Sequence, residues 1–331
     1  MSVGASPGRM HARLTRIARA RTVVNIQNLI DDLKCFETIR QLRWPEGVTC
    51  SHCDSPQITK QGHDSTQPER QRYHCEACQK HFDDLTGTIF AGHHQPLRVW
   101  ILCLYFMGLN LSNEQIGHEL NLDPDDAQKM TTQLREGIVE RKPVETLSGE
   151  VECDEVYVVA GHKGHPEAVK KKGRPPRRRR LKGKRGRGTL AKEKPPIFGM
   201  IQRTGMVVIR MLENVKQVTI GPLIRSTIAT GTIVYTDEYD IYARMSLWGY
   251  GHRTVCHAAG EFARDEDGDG FCEVHVNTIE GFWSLLRSWL RPHRGVSQEK
   301  LPLYLGFFEF AHNVRKRGKA LLGALISLLV R

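Results

Sequence analysis

Apolar residues recur along this chain with two different periods, and the change from one to the other divides it. Leu97, Val99, Trp100, Ile101, Leu104, Tyr105 and Met107 return at helical spacing, and Gly108 ends the run. Ser112, followed three residues on by Gln115, is a capping-box pattern that opens a second helix through Leu120. Asp123 caps a third helix over about 124–140, with proline in its first turn. From Gly149 the period shortens. Val151, Cys153, Val156, Tyr157 and Val158 favour a strand, residues 196–201 and 206–211 read as a hairpin turning at 203–205, and a helix over 218–229 leads to a buried strand over 232–237. Helical spacing returns over 277–291. There Ile279, Phe282, Trp283, Leu286, Trp289 and Leu290 form one stripe, and Asn277, Glu280, Ser284 and Arg287 form a polar one. Residues 320–330 read as a terminal packing helix.

Two stretches escape either pattern. Residues 161–194 are dense in Lys, Arg, Gly and Pro, including Lys170, Lys171, Lys172 and the run Arg177, Arg178, Arg179, Arg180. They are too polar to pack and too single-signed to be at ease without an anion, and phosphate backbone is the obvious one. Arg9, Arg13, Arg16, Arg19 and Arg21 form a second basic segment, read as a flexible arm. The net charge of +11 points the same way, to nucleic acid ahead of a membrane surface. With that charge, the two helices joined at 121–123 read as a helix-turn-helix with Gln128, Lys129, Thr132, Gln133 and Arg135 facing DNA. A bundle with solvated polar faces is the alternative. No apolar run reaches eighteen residues, and no apolar core follows the first arginines. Neither a membrane span nor a secretory signal is therefore expected.

Nine cysteines are present, an odd number, and four stand in two close pairs: Cys50 with Cys53, and Cys75 with Cys78. That usage favours metal binding in a reducing compartment over a disulfide framework. Four thiolates complete a tetrahedral Zn²⁺ shell, so His52, His74 and His81 are read as surface or DNA-facing groups. Cys35, Cys103, Cys153, Cys256 and Cys272 are read as buried or half-buried thiols.

The acid-bearing strand needs an explanation, because a carboxylate in a buried strand is costly unless paired or metal-bound. Asp237 ends a later strand, where ligand sites of open mixed α/β sheets lie, and Glu280 stands on the polar stripe of the following helix. Carboxylates on a first strand, a later strand and a helix suit a two-metal phosphoryl-transfer site holding Mg²⁺ or Mn²⁺. Alternation puts Glu150 and Glu152 on the face of Asp154, yet Glu150, Glu152 and Glu155 are read as solvated or DNA-proximal. The run from Asp265 to Gly270 does not complete a calcium loop and reads as an acidic turn.

The segments Cys153-Asp154-Glu155-Val156-Tyr157, Tyr235-Thr236-Asp237, His257 with Glu261-Phe262, and Asn277-Thr278-Ile279-Glu280-Gly281-Phe282-Trp283-Ser284 carry a resemblance. The sequence resembles bacterial and archaeal insertion-sequence transposases of the ISXO-type group, which join an N-terminal zinc ribbon to an RNase H-like DDE domain. The resemblance implies a metal triad of Asp154, Asp237 and Glu280, with Arg287 near DNA phosphate and Asn277 a lesser candidate. It implies a prokaryotic, cytoplasmic, nucleoid-associated protein that cuts and joins double-stranded DNA at terminal inverted repeats and target sites, as a homo-oligomer on that DNA. A regulator with a degenerate nuclease fold and an RNase H-like nuclease are the other readings. The expected organisation is a basic arm (1–24), a zinc ribbon (25–92), a helical DNA-binding segment (93–143), the DDE domain (144–316, basic insert 161–194) and a helical tail (317–331).

Overall fold

The computed structural model describes residues 26–162, 166–171, 188–237, 240–256, 260–261, 263–270, 272–315 and 318–330. The basic arm, Arg177 to Arg180, His257 and Phe262 lie outside the described residues. Helix α1 (Asp32–Arg43) starts where the Asp31 carboxylate accepts the Leu33 N–H. Strands β1 (Ile58–His63), β2 (Gln71–Cys75) and β3 (His81–Asp83) form a small antiparallel sheet. Its apolar content is slight, Tyr73 and Phe82 packed beside Trp44 and Val48, as expected of a module that is not stabilised by its core alone.

Helices α2 (Leu97–Gly108), α3 (Asn113–Glu119) and α4 (Pro124–Arg141) follow where the periodicity puts them. The capping box at Ser112 and Gln115 is formed, and Asp123 caps α4 by accepting the Asp125 N–H. Cys35, Phe36 and Ile39 of α1 pack into the same core as Trp100, Leu104, Ile116, Leu134 and Ile138, so α1 belongs with these helices. Among the described residues no helix is long and apolar enough to cross a membrane.

The remaining half is built on one mixed sheet. Its elements in order are β4 (Glu150–Tyr157), α5 (Pro166–Lys171), β5 (Pro196–Gln202), β6 (Val207–Met211), α6 (Gln217–Thr227), β7 (Ile233–Asp237) and β8 (Gly251–Val255). The strand order is β6-β5-β4-β7-β8, antiparallel from β4 through β5 to β6 and parallel from β4 through β7 to β8. A short pair, β9 (Ala263–Arg264) and β10 (Val274–His275), precedes α7 (Asn277–Leu290), α8 (Leu301–Val314) and α9 (Gly318–Leu329). The sheet is covered on both faces. Val151, Cys153, Phe198, Val208 and Val234 pack against α6, while Val156, Ile197, Ile209 and Tyr235 pack against α7 and α8.

Helix α8 escaped the sequence reading because it is apolar nearly all round. Leu301, Leu305 and Phe308 face the sheet, and Phe307 and Phe310 face the helical core, so no single stripe exists to be read. On this helix Glu309 is only 2% exposed. Its carboxylate accepts from the Ile209 N–H (2.9 Å) and Arg210 (2.7 Å) of β6 and from Lys142 at the end of α4. One buried acid thus ties the helical unit to the sheet. Removing one partner of such a pair leaves a buried charge uncompensated. Glu309→Ala is expected to lower unfolding free energy by about 3 kcal/mol, measured by urea denaturation; a change under about 1 kcal/mol would show that the link carries no weight.

Candidate functional site

The four paired cysteines meet in the small sheet. Asp54 and Gln79, one residue past each pair, hold left-handed backbone (φ 57° and 58°), and each returns its N–H to the carbonyl of the first cysteine of its pair at 2.9 Å. Two like turns thereby point their thiols inward. All four Sγ atoms lie within 4.8 Å of one another, with Cys50–Cys78 at 3.7 Å and Cys53–Cys75 at 3.6 Å. A tetrahedron with Zn–S bonds of about 2.3 Å has edges of about 3.8 Å, so the donor set fits zinc. The Cys78 and Ala77 amides donate to Cys75 and hold its thiol down, while, against the Ser55 amide, burial and the neighbouring thiols push Cys53 up. His52 and His81 are exposed and His74 half-buried, and none joins the sulfur cluster.

The second constellation is on the sheet face covered by α7. Strands β4 and β7 run parallel with Glu152 beside Tyr235, and two residues further along each stand Asp154 and Asp237. Period-two alternation brings both carboxylates to that face at one level of adjacent strands. Helix α7 crosses above them with Ile279, Phe282, Trp283 and Leu286 buried, while Asn277, Glu280, Ser284 and Arg287 remain exposed. Its seat is set at Gly199, the cross-strand partner of Asp154. A Cβ there would come within 2.3 Å of the Trp283 ring, so only glycine admits the indole. From that position Trp283 Nε1–H donates to Asp154 Oδ2 at 2.8 Å.

Asp154 is pushed up to about 6. Burial is the main cause, the Trp283 and Glu155 N–H bonds oppose it, and the negative charges of Asp237 and Glu280 add to it. The three carboxylates are therefore close enough to sense one another, although their oxygens do not all fall within 4.8 Å. Acidic oxygens that repel one another around a half-dry point are what hard divalent cations relieve.

Several expectations need correction. Glu152 is not solvated. It is 0% exposed and accepts from Thr278 Oγ1 (2.8 Å), the Ile279 N–H (2.9 Å) and Arg203 Nε (3.1 Å). Its position between Val151 and Cys153 in a strand covered on both faces was the available signal. Arg135 does not face DNA. It is 2% exposed, its guanidinium lies 3.9 Å over the Tyr304 ring, and it donates to Asn113 and the Thr131 carbonyl. Lys129, one turn and a half earlier, is exposed beside Asp126. Cys272 is exposed rather than half-buried. Arg203, Thr278 and Trp283 are site neighbours that periodicity does not single out. The 265–270 run is an exposed turn in which Asp265 accepts the Gly268 and Gly270 amides.

Comparison with known proteins agrees with this layout. Residues 146–313 match the ISXO2-like transposase domain, and residues 30–81 match the transposase zinc-ribbon domain. Over 305 residues the chain is 32% identical to an uncharacterized protein in transposable element ISH50 of Halobacterium salinarum, covering 91% of this chain and 98% of that protein. Over 103 residues it is 27% identical to an uncharacterized transposase-like protein of Haemophilus influenzae, covering 31% and 77% respectively. A simian T-cell lymphotropic virus intasome structure, in complex with PP2A regulatory subunit B56 gamma, aligns with 8% identity over 62% of this chain and 67% of that one, at a TM-score of 0.27. Given a relative matched along nearly its whole length and both domains found in the expected order, this chain belongs to the ISXO2-like transposases that carry a zinc ribbon.

Proposed function

We propose that the protein is an active transposase that cleaves DNA at the ends of its element and joins the freed 3′-hydroxyls to target DNA. The observation that carries this reading is that Asp154 and Asp237 stand at one level of adjacent strands under α7, where burial first and then the charges of Asp237 and Glu280 raise Asp154. The strand order, with three antiparallel strands followed by two parallel to the first, supports an RNase H-like reading of the sheet. Family membership supports DNA as the substrate.

Asp154, Asp237 and Glu280 would hold the divalent cations, Mg²⁺ or Mn²⁺, which activate water or a 3′-hydroxyl and offset charge on the departing oxygen. Trp283 fixes the Asp154 carboxylate through Oδ2. Arg287, two turns past Glu280 on the exposed stripe, meets a DNA phosphate. The four cysteines hold structural Zn²⁺. The ribbon, exposed Lys129 of α4 and the basic run Arg177, Arg178, Arg179, Arg180 bind duplex DNA, with two or more copies assembled on the element ends.

Asp154→Asn, Asp237→Asn and Glu280→Gln are each expected to abolish Mg²⁺-dependent cleavage of end DNA while binding to that DNA persists in gel-shift assays. Cleavage retained in any one of them would remove that residue from the triad. Cys50→Ser is expected to release zinc, seen by elemental analysis, and to unfold the ribbon, since such a site contributes on the order of 10 kcal/mol. A third outcome follows from the raised Asp154. Its folded value lies above its ordinary one, so the metal-free protein loses stability as pH rises between about 4 and 6 and carries the full cost above that. In chelator, Asp154→Asn should therefore be more stable than the parent at pH 7.5, by on the order of 2–3 kcal/mol, with the gain fading towards pH 4. An equal melting temperature at pH 7.5 would contradict this.

A further inference from the structure

We propose that Glu152 and Arg203 form a positioning pair that holds the three carboxylate-bearing elements in register and thereby sets the affinity of the site for divalent metal. The proposal rests on the reading of Asp154, Asp237 and Glu280 as metal-holding residues. Helix α7 has Val276 at its N-cap and no side-chain cap of its own. The N–H groups of a first helical turn need acceptors, and a serine or aspartate at the cap position would supply one locally. Here His275 Nδ1 accepts the Asn277 N–H (3.3 Å), and the acceptor for the Ile279 N–H comes from a different element. Glu152 of β4 takes the Ile279 N–H on one oxygen and the Thr278 hydroxyl on the other. A local cap would stabilise α7 wherever it lay. A cap borrowed from β4 stabilises it only where it meets that strand.

Arg203, at the β5–β6 turn, completes the arrangement. It donates from Nε to Glu152 (3.1 Å) and from Nη2 to the His275 carbonyl (3.2 Å), just ahead of α7. Its guanidinium lies 3.9 Å over the ring of Tyr235, whose hydroxyl donates to Glu150 (2.7 Å). The pair therefore touches Glu152, Tyr235 and Thr278. These stand two residues before Asp154, Asp237 and Glu280 in turn. On a strand, two residues apart means the same face about 7 Å away, so Asp154 and Asp237 are each held by a strand neighbour, while Thr278, in the first turn of α7, fixes the helix that carries Glu280. Stability alone does not explain the pair, because buried ion pairs are commonly matched by apolar side chains of similar size. A fixed spacing between strand and helix does explain it. Neither residue reaches the reacting atoms, and both act through the elements they join.

The test uses the full-length protein with Glu152→Gln and Arg203→Lys, which keep size and remove the paired geometry. Mn²⁺ binding is measured by calorimetry without DNA, amide exchange is followed at Ile279 and Glu280, and end cleavage is titrated with Mn²⁺. Each variant should melt close to the parent and bind Mn²⁺ roughly 10–100-fold more weakly, the usual cost of losing an outer partner of a metal ligand. Exchange at Ile279 should accelerate in Glu152→Gln, and cleavage should recover at raised Mn²⁺. Parental Mn²⁺ affinity in both variants would overturn the proposal. So would global unfolding of both, or a cleavage defect that raised metal does not relieve, since each marks a purely structural pair. If Asp154→Asn leaves Mn²⁺ binding at the parental level, the triad reading fails instead, independently of the pair.

Discussion

The indole of Trp283 lying on Gly199 is the contact on which the C-terminal half depends. It is possible only because β5 presents a bare backbone opposite Asp154. With it, α7 sits low on the sheet, its N–H reaches Asp154, and Glu280, one turn earlier, comes into the electrostatic reach of the strand-borne acids. A side chain at residue 199 would lift the helix and separate the acids together. The same contact makes Asp154 a half-dry group, since the indole of α7 lies against it. The weakened acidity of Asp154 is thus a by-product of how tightly α7 is seated.

Three buried carboxylates act as joints between elements of the fold. Asp84 is fully buried and accepts from Arg40 of α1 (2.8 Å), the Gln71 N–H (2.7 Å) and the Tyr73 hydroxyl (3.0 Å), so it fastens the ribbon to the helical unit. Glu309 fastens the helical unit to β6, and Glu152 fastens β4 to α7. Each accepts at least one backbone N–H and one arginine. An isolated buried charge would be costly, and several directed donors offset that cost while fixing orientation. Apolar packing holds each unit together, and these acids set the angles between units.

Much of this was legible beforehand, for identifiable reasons. The four cysteines announce themselves by spacing, since few other arrangements need two close pairs. The helices at 97–108, 113–119 and 124–141 carry caps as well as periodicity, and two local signals agreeing is hard to mimic. Asp154 and Asp237 stand out as acids in apolar strands, and Glu280 only as a member of the polar stripe of its helix. Glu152 carried the same signal and was misassigned, because alternation names a face but not what covers it. Arg135 was misassigned for the complementary reason. An arginine on an amphipathic helix reads as exposed, and only the approach of Tyr304, about 170 residues later in sequence, shows otherwise. Arg203 sits in a hairpin turn, where local pattern says nothing about distant partners.

Helix α9 supplies Leu321, Leu325, Ile326 and Leu329 to the core made mainly by α1, α2, α3 and α4, to which α8 adds Phe307 and Phe310. The helical unit is thus assembled from segments lying on either side of the sheet in the chain. During synthesis, the ribbon and the sheet emerge in full while that core still lacks one wall. Domains generally fold as units during synthesis, so the sheet half can take shape before the helical half, which needs α9, closes. Completion of α9 is then the step that binds the last segment of the chain to its first helices, and a chain released before it would hold a formed sheet beside an open helical core.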